Sequence, residues 1–207
     1  MAWIPEHSET DDGFELTMAV NHLNQVHLTN RLMDHISPSG RVVVVSSVFH
    51  KASSIETMTD ESLGMNDWKS GKRTWLAGAP AYADSKLANC IFARALHHHR
   101  NMLAFSVHPG EILTNILKPQ AGWFPWMLNF FGRLIEPFVL KSPEQGAATQ
   151  VYCALLASSK SSGGYFQDCN EAPFESEEIN VMLNDKAFTK RFLDISEKLI
   201  RDGLKKF

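Results

Sequence analysis

Residues 41 to 50, RVVVVSSVFH, carry the feature that most limits what this chain can become: four consecutive valines, Val42 to Val45, with no polar residue between them. β-Branched side chains are stiff in a helix and fit a pleated surface. Successive side chains of a strand point to opposite faces, so an unbroken apolar run predicts a strand covered on both sides, as in a parallel sheet. Parallel strands need long crossovers, which predicts helices on either side of the run.

The sequence supplies them. From Asp11, Asp12 and Gly13 a helical stretch carries Phe14, Met18, Val20, Leu23, Val26, Leu28, Leu32 and Ile36 at helical spacing until Pro38 and Gly40 end it. Residues 51 to 79 are rich in Ser, Thr, Asp and Gly and read as a long loop. A second helix is expected from about Ala81 to Arg100, with Leu87, Ile91, Phe92 and Leu96 inward, followed by a short apolar strand ending at His108-Pro109-Gly110. Ser142 as N-cap and Pro143 at the first helical position open a third helix, which leads to a third strand in GGYFQD. Residues 175–207 read as a helical tail of one or two amphipathic helices, with Ile179, Leu183, Phe188, Phe192, Ile195, Leu199 and Leu204. The expected class is α/β, about three parallel strands with flanking helices, and 207 residues suit one domain spanning 1–207.

Composition narrows the partners. A net charge of −3 without a Lys/Arg cluster gives no field for nucleic acid. Cys90, Cys153 and Cys169 are too few and too widely spaced for a disulfide framework, and each has apolar neighbours, so all three are expected as buried reduced thiols. His97, His98 and His99 are consecutive and cannot share one helical face, and no metal site is expected. His108 reads as structural. The start, MAWIPEHSETDD, has no basic segment followed by an apolar core, which predicts a cytoplasmic chain. The window from Gly122 to Leu140 is long and apolar, but Pro125, Asn129, Arg133, Glu136 and Pro137 interrupt it. Residues 114–140 therefore read as a flap over an apolar pocket, with Met127, Phe130, Phe131 and Leu134 available to line it, or as a surface that touches membrane.

Four polar signals fall at strand ends and helix starts, where open α/β sheets place their ligands. Tyr82 and Lys86 stand at i, i+4 on one helix face, about 6 Å apart along the axis. A tyrosine titrates near about 10, and a neighbouring cation favours its anion. Alone, this pair is equally a solvated helix end. Ser46 and Ser47 follow the valine run, where a hydroxyl can either cap the strand or bond a substrate oxygen. Asn21 has poor propensity for mid-helix, which implies either a solvent-facing position or a local backbone distortion held by its side chain. Pro109-Gly110 turns the chain sharply, and Thr114 follows four residues later.

VNHL, VVVVSS, YADSK and HPGEILT, in this order, resemble the short-chain dehydrogenase/reductase family, and DDGFEL, YADSKLANCIF, QGAATQVYCA and GGYFQDCNE are most similar to its retinol-dehydrogenase-like branch. The likeness covers nearly the whole chain. It implies the C-terminal half of a Rossmann-like doubly wound sheet and an NAD- or NADP-dependent conversion between alcohol and carbonyl on a lipophilic, steroid- or retinoid-like substrate. It implies that Tyr82 is the acid/base, that Lys86 lowers its pKa and binds the nicotinamide ribose, and that Ser47 orients the substrate carbonyl. Asn21 would hold a water between Lys86 and solvent. Pro109, Gly110, Ile112 and Thr114 would contact the cofactor, the last two at its carboxamide.

The chain also departs from that pattern. It has no Gly-x-Gly and no Asn-Asn-Ala-Gly, so the family's first strands and glycine-rich loop are absent, and Asn24 stands where the family has glycine. Without the preceding strand, the valine run is expected to have an open edge. Two expectations follow: an oxidoreductase, or a truncated isoform or gene-model fragment that holds no cofactor and acts as an interaction module. A homodimer, another protein and a membrane surface are the candidate partners.

Overall fold

The computed structural model of the protein describes residues 8–53, 55, 79–110, 141–174 and 176–205. The valine run forms strand β1 (Arg41–Val45), which lies parallel to β2 (Leu103–His108), with Val42 opposite Ala104 and Val44 opposite Ser106. β2 in turn lies parallel to β3 (Tyr165–Gln167), Ser106 facing Tyr165.

The three parallel strands are those expected, and the structure adds a fourth. β4 (Asn170–Ala172) pairs antiparallel with β3, giving a sheet in the order β1-β2-β3-β4. Asp168 and Cys169 make the two-residue turn with φ of 53° and 59°, the left-handed backbone that a tight hairpin requires. Asn-Gly normally announces such a turn, and Asp-Cys conceals it. The same turn leaves Cys169 half-buried, whereas Cys90 and Cys153 are buried as expected.

The first helical stretch is not one regular helix. Glu15 caps α1 (Leu16–Met18), its carboxylate accepting from the Thr17 and Met18 amides at 2.9 and 2.6 Å. A π-helical turn (Ala19–Leu23) follows, then α2 (Asn24–Leu32) and a 3-10 turn (Met33–His35). α3 (Ala79–Arg100) is the long second helix. α4 (Pro143–Leu155) starts with a full capping box: Ser142 Oγ accepts from the Gln145 amide at 3.2 Å and Gln145 Oε1 accepts from the Ser142 amide at 2.9 Å. The tail forms α5 (Glu177–Asn184) and α6 (Lys186–Leu204), capped by Ser176 and Asp185.

Alternation along the strands builds the layers. Val42, Val44 and Ala104 join Val26, Phe92, Leu96 and Leu193 on the face covered by α3, while Val43, Leu103, Phe105 and Val107 join Cys153, Ala157 and Phe166 under α4. Both faces of β1 thus carry a helix, yet only Val44 is buried and Val45 stays 41% exposed. Position explains the difference: among the described residues β1 pairs with β2 alone and forms a sheet edge. α6 packs against α3 and sends Phe192 into the core. The architecture is α/β, matching the C-terminal half of a Rossmann-like fold. Among the described residues no helix is long and apolar enough to cross a membrane.

Candidate active site

At the carboxyl end of β1 the chain leaves the sheet through Ser46 and Ser47. Ser46 Oγ donates to the Lys86 carbonyl at 2.7 Å and lies 3.2 Å from Cys90 Sγ, which ties the strand end to α3. Ser47, at φ −160° and ψ 160°, is the N-cap of a 3-10 turn (Val48–Ala52), its hydroxyl accepting from the Phe49 amide at 3.3 Å. The Ser47 side chain also acts on the Tyr82 phenol, opposing the effect of burial on it. The strand end and the helix start therefore bring Ser47 and Tyr82 together.

Lys86 follows one helical turn later. Its ammonium donates to the Val45 carbonyl at 3.2 Å and lies 5.4 Å from the centre of the Tyr82 ring. Burial lowers the Lys86 pKa to about 8. Burial raises the Tyr82 pKa, and the smaller opposing influence is the hydrogen bond from Ser47. The Lys86 cation thus lies over the Tyr82 ring.

Asn21 sits inside the π-helical turn, which is the local distortion its position implied, and such turns concentrate at functional sites. Its Nδ2 donates to Ser85 Oγ at 3.0 Å, and Ser85 Oγ donates to the Tyr82 carbonyl at 2.7 Å. Asn21 thus reaches the helix turn between Tyr82 and Lys86. Asn24 is exposed and leaves the strand uncrowded.

At the end of β2, Pro109 leads into Gly110 at φ 90°. A Cβ on Gly110 would stand 2.7 Å from Lys141 Cδ, so glycine lets the Lys141 chain cross this turn on its way to an ion pair with Asp168. That hydrogen bond from Lys141 is the main reason the Asp168 carboxyl titrates below its usual range. Ile112, Thr114 and the flap 114–140 lie outside the described residues. His108 is buried beneath the turn.

Two supports had no clear signal in the sequence. His50 is buried with Tyr165 and Phe174 edge-on to its ring at 4.7 and 5.7 Å, and its Nδ1 donates to the Ser47 carbonyl at 2.7 Å, fixing the segment that presents Ser47. Asn89 Nδ2 donates to the same Val45 carbonyl as Lys86, at 3.0 Å. His98 and His99 approach Thr189 Oγ1 at 3.4 and 3.1 Å and fasten α3 to α6.

No family model matches the chain. Curated proteins do. Retinol dehydrogenase 11 of Homo sapiens is 30% identical over 202 residues, covering 94% of this chain and 56% of the relative. WW domain-containing oxidoreductase of Gallus gallus is 35% identical over 205 residues, 94% of this chain and 46% of the relative. Retinol dehydrogenase 12 of Mus musculus is 37% identical over 169 residues, 79% of this chain and 48% of the relative. The chain spans about half the length of the curated relatives it matches.

Proposed function

Because the chain belongs to the short-chain dehydrogenase/reductase family, in its retinol-dehydrogenase-like branch, we propose that it converts alcohol to carbonyl and back on a lipophilic, steroid- or retinoid-like substrate with NAD or NADP. The observation that carries this reading is the meeting of Ser47, Tyr82 and Lys86 at the carboxyl end of β1, with the Lys86 ammonium 5.4 Å from the Tyr82 ring and the Ser47 side chain acting on the phenol. Phe49, half-exposed and edge-on to Tyr82 at 5.8 Å, offers an apolar wall beside the phenol, in keeping with relatives named for retinol.

The donor set fits the nicotinamide end of the cofactor. Lys86 has three N–H donors and gives one to Val45, which leaves donors for ribose hydroxyls. No Gly-x-Gly occurs in the sequence, so no residue is assigned to the diphosphate. When bound, the nicotinamide supplies or accepts the hydride. Tyr82 would give its proton to the carbonyl oxygen on reduction and take it back on oxidation. Its raised pKa keeps the phenol protonated near neutral pH, as a donor must be. Ser47 would hold the substrate oxygen within reach of that proton, and the Lys86 charge would ease formation of the phenolate. Pro109 and Gly110 form the turn nearest the expected carboxamide contacts, Ile112 and Thr114. The flap 114–140 would cover the substrate or touch membrane.

A second reading is favoured by one observation: among the described residues β1 pairs only on its β2 side, leaving a strand edge open to another chain. The protein would then bind a protein partner, or a second copy, rather than a cofactor. Titration with NADH and with NADPH, followed by nicotinamide fluorescence, separates the two. Saturable binding at micromolar concentration supports the oxidoreductase, and a folded chain that binds neither supports the interaction module.

A further inference from the structure

We propose that His22 and Asn89 are positioning residues for Lys86, holding it through the Val45 carbonyl and tying it to the C-terminal helix α6. Asn89 lies three residues after Lys86 on the same face of α3, and both side chains donate to that one oxygen, at 3.0 Å from Asn89 Nδ2 and 3.2 Å from Lys86 Nζ. On its far side Asn89 Oδ1 is 3.2 Å from His22 Nδ1, and His22 Nε2 is 3.0 Å from Ser196 Oγ on α6. The four side chains are buried, His22 0%, Ser196 1%, Asn89 2% and Lys86 8% exposed, while Val45, which lends only its carbonyl, is 41% exposed.

Donor and acceptor chemistry fixes the direction of the whole chain. A carbonyl only accepts, so Asn89 must present its NH2 to Val45, which turns Oδ1 toward His22. That oxygen also only accepts, so His22 Nδ1 carries the ring proton. Nε2 is then the acceptor, 3.0 Å from the Ser196 hydroxyl, which also lies 3.0 Å from the Phe192 carbonyl. Burial pulls the His22 pKa down to about 4, so the ring stays neutral. Phe92 and Phe192 pack on it at 6.1 and 5.4 Å and hold its plane.

The consequence concerns Lys86. If the Asn89 amide turned over, two acceptors would face each other at Val45, and a buried unsatisfied group costs about 1–3 kcal/mol. His22 Nδ1–H prevents that turn, so the acceptor that fixes the lysine stays aimed. The π-helical turn that carries Asn21 also carries His22, so one backbone distortion serves two contacts on one face of α3, at Ser85 and at Asn89. The positioning role rests on the reading of Lys86 as the cation of an oxidoreductase site; the hydrogen-bond chain itself does not.

The test needs no turnover. Long-range ¹⁵N NMR of the native protein should find the His22 proton on Nδ1, and a proton on Nε2 overturns the proposal. Lysine ¹³Cε NMR should then follow Lys86, which titrates at about 8 in the native chain. His22→Leu removes the donor and should lower that midpoint by about half a unit or more, because the ammonium loses a fixed acceptor. His22→Asn keeps an N–H at the Nδ1 position and should restore it. An unchanged midpoint in folded His22→Leu overturns the proposal, as does a failure of His22→Asn to restore it. If His22→Leu does not fold, the native tautomer decides. A chain that binds no nicotinamide yet shows the Nδ1 tautomer and the lysine shift would lose the oxidoreductase reading and keep this network.

Discussion

Lys86 places its ammonium 5.4 Å from the centre of the Tyr82 ring and 3.2 Å from the Val45 carbonyl, so one cation joins a ring face to a strand end. The helix supplies the first contact through i, i+4 spacing, and the parallel sheet supplies the second by ending β1 beside α3. The ammonium is buried at this junction, and loss of hydration is why its proton is held weakly despite the two contacts.

That weakness predicts how stability changes in alkali. The Lys86 pKa falls from 10.5 to about 8 on folding. Below the folded value the lysine is charged in both states and the native state bears the burial cost. As pH rises from about 8 to 10.5 the folded lysine loses its proton first, unfolding takes a proton up, and stability increases, on the order of 3 kcal/mol in all. Urea unfolding across this range should show the rise in the native chain and its loss in Lys86→Met, which should be the more stable of the two near neutral pH. A native chain that only weakens through this range contradicts the lysine's burial.

His22 governs the acid side with its own sign. Its pKa falls from 6.5 to about 4 on folding, because the buried ring resists a charge. The contribution is fully present above 6.5 and is lost as pH falls toward 4, where the unfolded histidine binds a proton that the native one refuses; the loss is on the order of 3 kcal/mol. His22→Asn should flatten this part of the curve. Equal acid sensitivity in both proteins would place the charge elsewhere.

Gly110→Ala tests the turn after β2. At φ 90° an alanine is strained, and its Cβ would meet Lys141 Cδ at 2.7 Å. The expected loss is about 1–3 kcal/mol by chemical denaturation. Lys141→Ala added to Gly110→Ala should recover only the steric part, since the backbone strain remains. A loss within about 0.5 kcal/mol, as for an ordinary surface change, would refute the requirement for glycine.

Much of this was readable from residue patterns, and the failures have physical causes. Val42 to Val45 gave a parallel strand because β-branched runs leave few alternatives, and Ser142-Pro143 marked α4 because capping chemistry is local. The poor helix propensity of Asn21 leaves two alternatives, a solvent-facing position or a distorted turn, and the structure has the second, a buried Asn21 in a π-helical turn. The hairpin at Asp168-Cys169 was hidden because neither residue is the glycine or asparagine that such φ values favour. The apolar run alone implies full burial of β1, while the missing family strands imply an open edge; among the described residues the edge prevails, because covering helices do not bury a strand that lies at one. His22 and Asn89 carry no signal in the sequence because each is unremarkable alone, and only the packing of α3 against the first helical turns and α6 joins them.

The most direct test of the central claim is turnover by Tyr82→Phe. A panel of retinoid and steroid alcohols and carbonyls would be followed by nicotinamide absorbance, with circular dichroism and NADH titration as controls. The Tyr82 proton is transferred in the reaction, so removing the hydroxyl should cost roughly a hundredfold or more in rate while fold and cofactor affinity stay unchanged. A folded Tyr82→Phe protein that keeps more than about a tenth of the native rate would contradict the role given to Tyr82.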